Sequence, residues 1–301
     1  MTQAVSPSLL ATLERVRTAL AAANDALRAG AFDIALPALE DLLAAASELA
    51  HSGHRPGRDR APEAPWDGQK MEQQVWHLLA QLKSAGCTVF PFAGTLLGLQ
   101  RDGKLLPGDK DADFAVWLED LGLAARLMQQ MGLRIAGNLP PFGNMACLVD
   151  EKTGLSVDLF GIRRDPVRQR MEGGVWLYGK PASHQRVAHF PWFTIGPRPG
   201  PAGEVWWPQP PAILLRALYG DWLVPQPEWD SLVSCPAVQE FNLQWRCCAL
   251  KQLADRWLKG DMPRTRRLLD QIVARCGWDA QLERYRDALD AAVALEVARS
   301  G

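Results

Sequence analysis

The chain is 301 residues long, 48% hydrophobic and 22% charged, with 33 Lys plus Arg against 34 Asp plus Glu and a formal net charge of -1. That length and apolar content allow one large domain with an accessory piece, each able to bury a core. The charge balance removes any global attraction to nucleic acid or to an anionic membrane surface, so no nucleic-acid partner is expected.

Residues 7 to 50 are rich in Ala and Leu, with Leu9, Leu10, Leu13, Val16 and Leu20, then Leu36, Leu39, Leu42 and Leu43, at helical spacing. The break at Arg28 to Ala31 makes residues 1–50 an N-terminal helical hairpin. Glu14, Arg15 and Arg17 interrupt its apolar run, which excludes the core of a secretory signal. No later stretch approaches the roughly 18 apolar residues of a spanning helix, so the expectation is a cytoplasmic protein without a transmembrane segment. Residues 51–68, rich in Pro, Gly, Arg and Asp, read as a flexible linker. The hairpin is therefore expected to be separable from whatever chemistry follows.

From Gln69 the texture changes to alternating helix and strand. QKMEQQVWHLLAQLKSAG predicts an amphipathic helix with Val75, Leu78, Leu79 and Leu82 on one face and Gly86 closing it. CTVFPFAG predicts a short buried strand, and TLLGLQRDG one or two helical turns capped by Thr95. DADFAVWL predicts a strand, EDLGLAARLMQQMG a helix and LRIAGNL a further strand. NMACLVD and LSVDLFGI predict a hairpin around Glu151 to Gly154. After the Pro-rich region 191 to 211, ILLRALYG predicts a helix, and roughly 237 to 299 is helical, expected to pack on the catalytic domain or on the N-terminal hairpin. The fold class expected is α+β, a mixed β-sheet with flanking helices over 69–235, followed by a C-terminal helical region over 236–301. The six cysteines, at 87, 147, 235, 247, 248 and 276, lack CxxC spacing and read as reduced, mostly buried thiols.

The stretch most informative about chemistry is residues 93 to 118, where Asp109, Asp111 and Asp113 alternate. On a strand, side chains at i and i+2 share a face, so Asp111 and Asp113 can converge on one point. Two like charges so placed repel unless a cation lies between them, and oxygen donors without His or Cys suit magnesium or manganese. The competing reading is a charged surface turn, since Asp109 to Asp111 also suits a loop. Gly94 and Thr95 offer a glycine turn at a helix start, where free N–H groups can hold phosphate oxygens. Asp158, an acidic residue inside an apolar strand, is the candidate third carboxylate, either as a metal ligand or as acceptor of a hydroxyl proton; an edge-strand Asp facing water is the alternative.

These residues carry a resemblance. GTLLGLQRDGKLLPGDKDADFAV, then VDLF, then LYGDWLVP resemble the LicD and fukutin family of nucleotidyltransferase-fold proteins, over about residues 71 to 225. The resemblance implies a nucleotidyltransferase-like fold in which Gly94 and Thr95 form the phosphate-facing turn and Asp111, Asp113 and Asp158 hold the metal. Asp109, by its position at the strand entrance, is expected to be a turn residue on the substrate side, with Gly94, Thr95 and Arg101. The resemblance matches Arg101 to the family's arginine, which leaves two roles open, a fork on a donor phosphate or a salt bridge to the acidic strand. Tyr219, Gly220, Asp221 and Trp222 match a later motif read as mainly structural. Two positions depart from the family pattern: Gly108 stands for a tryptophan and Lys110 for an acid, and Lys110 is expected on the opposite face from Asp109 and Asp111. No cysteine cluster suits a zinc-bearing insertion.

The resemblance implies a magnesium- or manganese-dependent enzyme that moves a phospho-substituent from a CDP-type donor, carrying a choline- or alditol-like group, to a glycan hydroxyl in surface-polysaccharide modification. Two alternatives stand beside it: transfer of the nucleotide itself, and a non-catalytic scaffold with a degenerate domain. A protein partner on the terminal helices fits either.

Overall fold

The computed structural model describes residues 7–51, 68–107, 109–137, 139–226 and 229–300. Helices α1 (Pro7–Arg28) and α2 (Phe32–His51) form the expected hairpin, turned at Gly30 with φ +64°. The linker expected at 51–68 lies outside the described residues over 52–67, and α3 (Gly68–Ser84) follows it. Next come β1 (Phe90–Pro91), α4 (Ala93–Arg101), β2 (Asp111–Trp117), α5 (Leu121–Gln130), β3 (Arg134–Ile135), β4 (Met145–Val149) and β5 (Ser156–Asp165). Two further strands, β6 (Arg170–Val175) and β7 (Arg186–Pro191), and a ribbon of β8 (Thr194–Gly200) and β9 (Gly203–Gln209) precede α6 (Pro211–Tyr219). The chain ends in α7 (Ser231–Ser234), α8 (Leu243–Leu258), α9 (Met262–Cys276) and α10 (Ala280–Ser300).

The expected α+β architecture is present: a seven-stranded mixed sheet ordered β1-β2-β5-β4-β3, extended from β5 through β6 to β7 and flanked by helices. β2 and β5 run parallel and every other pairing is antiparallel. Burial alternates along the central pair. Ala112, Phe114, Val157 and Leu159 are fully buried on one face, where α5 packs on β2, β4 and β5. The intervening Asp111, Asp113, Asp158 and Phe160 share the other, half-open face, as the two-residue period of a strand requires.

Several local expectations change. The strand expected over 133–139 is only Arg134–Ile135, with Asn138 outside the described residues. The Pro-rich 191–211 region is largely the β8–β9 ribbon; as a two-stranded ribbon it has only edges, where a proline that donates no ladder bond is tolerated. It docks on α3, stacking Trp207 on Trp76 with centroids 6.0 Å apart. The C-terminal helices pack on the hairpin, as expected, with α2 against α8 and α10. One apolar core runs from Val16 through the sheet to Leu289, so the hairpin is distinct along the chain but continuous in packing. Among the described residues no helix is long and apolar enough to cross a membrane. All six cysteines are free; Cys276 alone is exposed.

Candidate active site

β2 and β5 bring the acidic residues together. Their parallel register sets Asp113 beside Asp158 and Asp111 beside Ser156, so Asp111, Asp113 and Asp158 form a triangle on the half-open face. Asp109, just before β2, completes the group, and its Oδ2 is buried without a hydrogen-bond partner. Charge crowds here. Burial pushes Asp109 up to about 6, with Asp111 adding to the rise. Asp111 is raised by burial and then by Asp158, against a smaller pull from Lys110. Asp113 is held well above the usual carboxylate range by burial and then by Asp111. Asp158 is raised by burial although the Cys147 thiol donates to it. Burial and mutual repulsion both disfavour the ionised forms, which is the signature of carboxylates whose charge the protein itself leaves uncompensated.

The start of α4 is bolted to this group. The Gly94 N–H donates to Asp113 Oδ2 at 2.9 Å, the Phe92 N–H donates to the Asp113 carbonyl at 2.9 Å, and the Asp113 N–H donates to Thr95 Oγ1 at 2.9 Å. Ala93, at φ +37°, makes the turn that aims Gly94 at the carboxylates. A Cβ on Gly94 would stand 3.1 Å from Asp113 Oδ2 and 3.6 Å from Asp109 Oδ2, so glycine keeps this space open. Thr95 is not the cap expected from sequence. The N-cap is Phe92, without a side-chain cap bond, while Thr95 lies inside α4 at 0% exposure and fixes β2 rather than facing a phosphate. Of the N–H groups expected to be free at this helix start, that of Gly94 is spent on Asp113.

Of the two roles left open for Arg101, the salt bridge to the acidic strand is not formed. Its Nε and Nη2 fork on Asp102, each at 2.9 Å, and Nη1 reaches the Trp222 carbonyl at 3.4 Å. Lys110 is exposed and Gly108 lies outside the described residues. Asp150 proves to be a turn residue, accepting from the Lys152 N–H and the Thr153 hydroxyl.

Two neighbours of the site were not assigned to it from sequence. Cys147 pairs with Asp158 across β4 and β5; counting outward from the 150–155 turn gives that partner. Tyr219, read as structural, ends α6 with its phenol toward Asp113 and Asp109, whose charges add to the effect of burial in holding it protonated. Gly220 does end α6, at φ +68°, as expected.

Among the described residues no three His, Cys, Asp or Glu side chains are gathered as a finished chelating group. The chemistry of Asp111, Asp113 and Asp158 nevertheless fits a hard divalent cation, being all-carboxylate, with the orphaned buried Oδ2 of Asp109 beside them.

No protein-family model matches the chain, and no curated protein matches it in sequence. Solved structures similar to it in fold include two proteins tied to antibiotics. One is the lincosamide antibiotic adenylyltransferase LnuA with lincomycin bound, 13% identical, covering 45% of this chain and 78% of that one at a TM-score of 0.31. The other is the antibiotic-resistance factor ANT(2'')-Ia, 12% identical, covering 67% of this chain and 96% of that one, also at 0.31. Likenesses this distant do not bear on the chemistry, which rests on the residues above.

Proposed function

We propose that this chain is a metal-dependent transferase of the nucleotidyltransferase type, acting on a phosphorus-bearing group. The observation that carries the reading is that Asp111, Asp113 and Asp158 share one half-open sheet face at the start of α4, with Asp109 beside them just before β2, all with raised proton affinity. Buried acids crowded in this way cost stability unless a cation joins them, and such cost is retained where chemistry needs it. Asp111, Asp113 and Asp158 would hold magnesium or manganese. That ion supplies neutralisation of phosphate charge and orientation of the phosphoryl group.

The chain's own groups supply the rest. Thr95 fixes the backbone of β2, and the Gly94 N–H orients the Asp113 carboxylate. The gap left by the missing Gly94 side chain admits phosphate oxygens. Asp109, whose Oδ2 has no hydrogen-bond partner, would accept the proton of the attacking hydroxyl. That hydroxyl oxygen bonds to phosphorus as the bond from phosphorus to the nucleotide oxygen breaks, and the nucleotide leaves.

In its finer form the reading names a CDP-type donor carrying a choline- or alditol-like group and a glycan acceptor rather than nucleic acid, with the reaction in the cytoplasm. The motif resemblance supports these particulars. The test is release of CMP from a CDP-linked donor with glycan acceptor and magnesium, followed by the mass of the product. Asp111→Asn and Asp113→Asn should each lower turnover by orders of magnitude. Turnover like that of the unaltered chain in both variants, at unchanged metal dependence, would leave a scaffold role in its place.

A further inference from the structure

Phe92 and Ala93, which turn the chain toward the acidic group, also line a cavity of about 110 Å³ together with Phe160, Phe190 and Tyr219. Phe160 stands two residues beyond Asp158 on the same face of β5, about 6.7 Å along the strand. The half-open face therefore runs from carboxylates to an aromatic lining, and there it meets a cation. Arg186 is 6% exposed and lines the same space.

The guanidinium of Arg186 is incompletely used. Its Nε donates to the Leu232 carbonyl at 3.3 Å and its Nη2 to the Ser231 carbonyl at 2.6 Å. That leaves Nη1 and the second hydrogen of Nη2, the end of the fork that a carboxylate matches with two parallel bonds. Among the described residues no carboxylate pairs with Arg186, and Asp230, just before Ser231, is held by Arg256 at 2.9 Å. Arg275, the other cation beside Cys235, adds to the positive charge: it donates to the carbonyls of Cys235 and Val238, and its Nε is buried without a hydrogen-bond partner. Burying cations without a counter-ion is costly, so this pole of the cavity favours an incoming anion.

We propose that this cavity is a carboxylate subsite for the acceptor: the transferase acts on a hydroxyl compound of the uronate kind, with Arg186 forking on its carboxylate while its hydroxyl faces the acidic group. Volume sets the size of the inserted part. A cavity of about 150 Å³ takes one benzene, so one of about 110 Å³ takes roughly four or five non-hydrogen atoms, a carboxylate with its first carbons and no ring. The lining decides between anions. A phosphate would bury more oxygens against Phe92, Phe160 and Phe190 than one guanidinium satisfies, whereas a carboxylate presents two oxygens to the fork and carbon to the aromatic walls. The sugar ring then lies at the mouth, between the cavity and the carboxylates of β2 and β5. The inference rests on the transferase reading above and adds to it the class of acceptor.

The experiment is calorimetric titration of the full chain, in magnesium at neutral pH, with glucuronate, its neutral analogue glucuronamide and glucose 6-phosphate. Glucuronate should bind about 10- to 100-fold more tightly than glucuronamide, the range for a hydrogen bond to a charged group, and more tightly than glucose 6-phosphate. Arg186→Gln should remove the preference for glucuronate. Because Arg186 also ties down the Ser231 and Leu232 carbonyls, Val175→Phe serves as the second variant, filling the cavity from a half-buried wall with the guanidinium left in place. It should lower glucuronate binding at least about 10-fold. Absence of glucuronate binding, binding no tighter than that of glucuronamide, tighter binding of glucose 6-phosphate, or unchanged binding in Val175→Phe overturns the subsite, while magnesium-dependent release of CMP keeps the transferase reading. That reading fails separately, by the absence of both CMP release and any thermal response to magnesium.

Discussion

The Asp113→Asn substitution separates a crowded ligand from a structural acceptor. Asn keeps an oxygen for the Gly94 N–H, so the bond that fastens α4 to β2 survives, and only charge is removed. Asp158 lies one strand spacing away, about 4.8 Å, and Asp111 two residues along, about 6.7 Å. With an effective dielectric near 20, ionised neighbours at those separations repel Asp113 by roughly 3.5 and 2.5 kcal/mol. Protons retained by the cluster and the Gly94 N–H offset much of this, leaving about 1–3 kcal/mol to be relieved at pH 8. In chelator the variant should therefore melt above the unaltered chain by about 2–8 °C. Magnesium should reverse the order, since a ligand at 100 times its Kd stabilises the unaltered protein by about 2.7 kcal/mol and the variant by little. Differential scanning fluorimetry at pH 8, with chelator and with magnesium, reads both effects. A variant that melts lower in chelator, or that responds to magnesium as the unaltered chain does, refutes the argument and makes Asp113 a structural acceptor.

Gly94→Ala should retain the fold but lower turnover at least about 10-fold, because its Cβ would crowd Asp113 and Asp109; steady-state kinetics showing only a small change would remove Gly94 from the site. Glu172, 4% exposed, accepts from Arg163 and Arg170, and these bonds hold its carboxyl below the usual range although burial, the largest influence, pushes it upward. A depressed folded value means that its stabilisation is complete above about pH 4.5 and is lost as pH falls through the folded value. Glu172→Gln should thus cost about 1–3 kcal/mol at pH 7 and progressively less below pH 4.5 in urea titrations; a difference between the two proteins that ignores pH counts against the pairing. Deleting residues 1–67 removes Phe32, Leu39, Leu42, Leu43 and Leu49 from the shared core, a loss on the order of 10 kcal/mol and comparable to the whole stability of a domain. Circular dichroism should then report loss of the C-terminal helices, and a cooperative melt at an unchanged temperature would show the hairpin to be dispensable.

Periodicity and punctuation carried most of the fold. The two-residue alternation of DADFAVW and SVDLF marked β2 and β5, and the 3.6-residue spacing of Val75, Leu78, Leu79 and Leu82 marked α3, because local burial imposes those periods on any sequence that adopts them. The alternation also foretold that Asp111 and Asp113 share a face, which is a property of a single strand. None of β6 to β9 was foreseen; in β6 and β8 Gly173, Gly174, Pro197 and Pro199 break the pattern that a strand is recognised by, and pairing with β7 and β9 is what makes them strands. Pairing across strands is likewise what sets Asp158 beside Asp113 and Cys147 beside Asp158, since register is fixed by the packing of both partners. The fate of Thr95 was decided at the same level. Its hydroxyl could cap a helix in isolation, but the closeness of β2 offers it the Asp113 N–H, and the fully buried position leaves no other use for it.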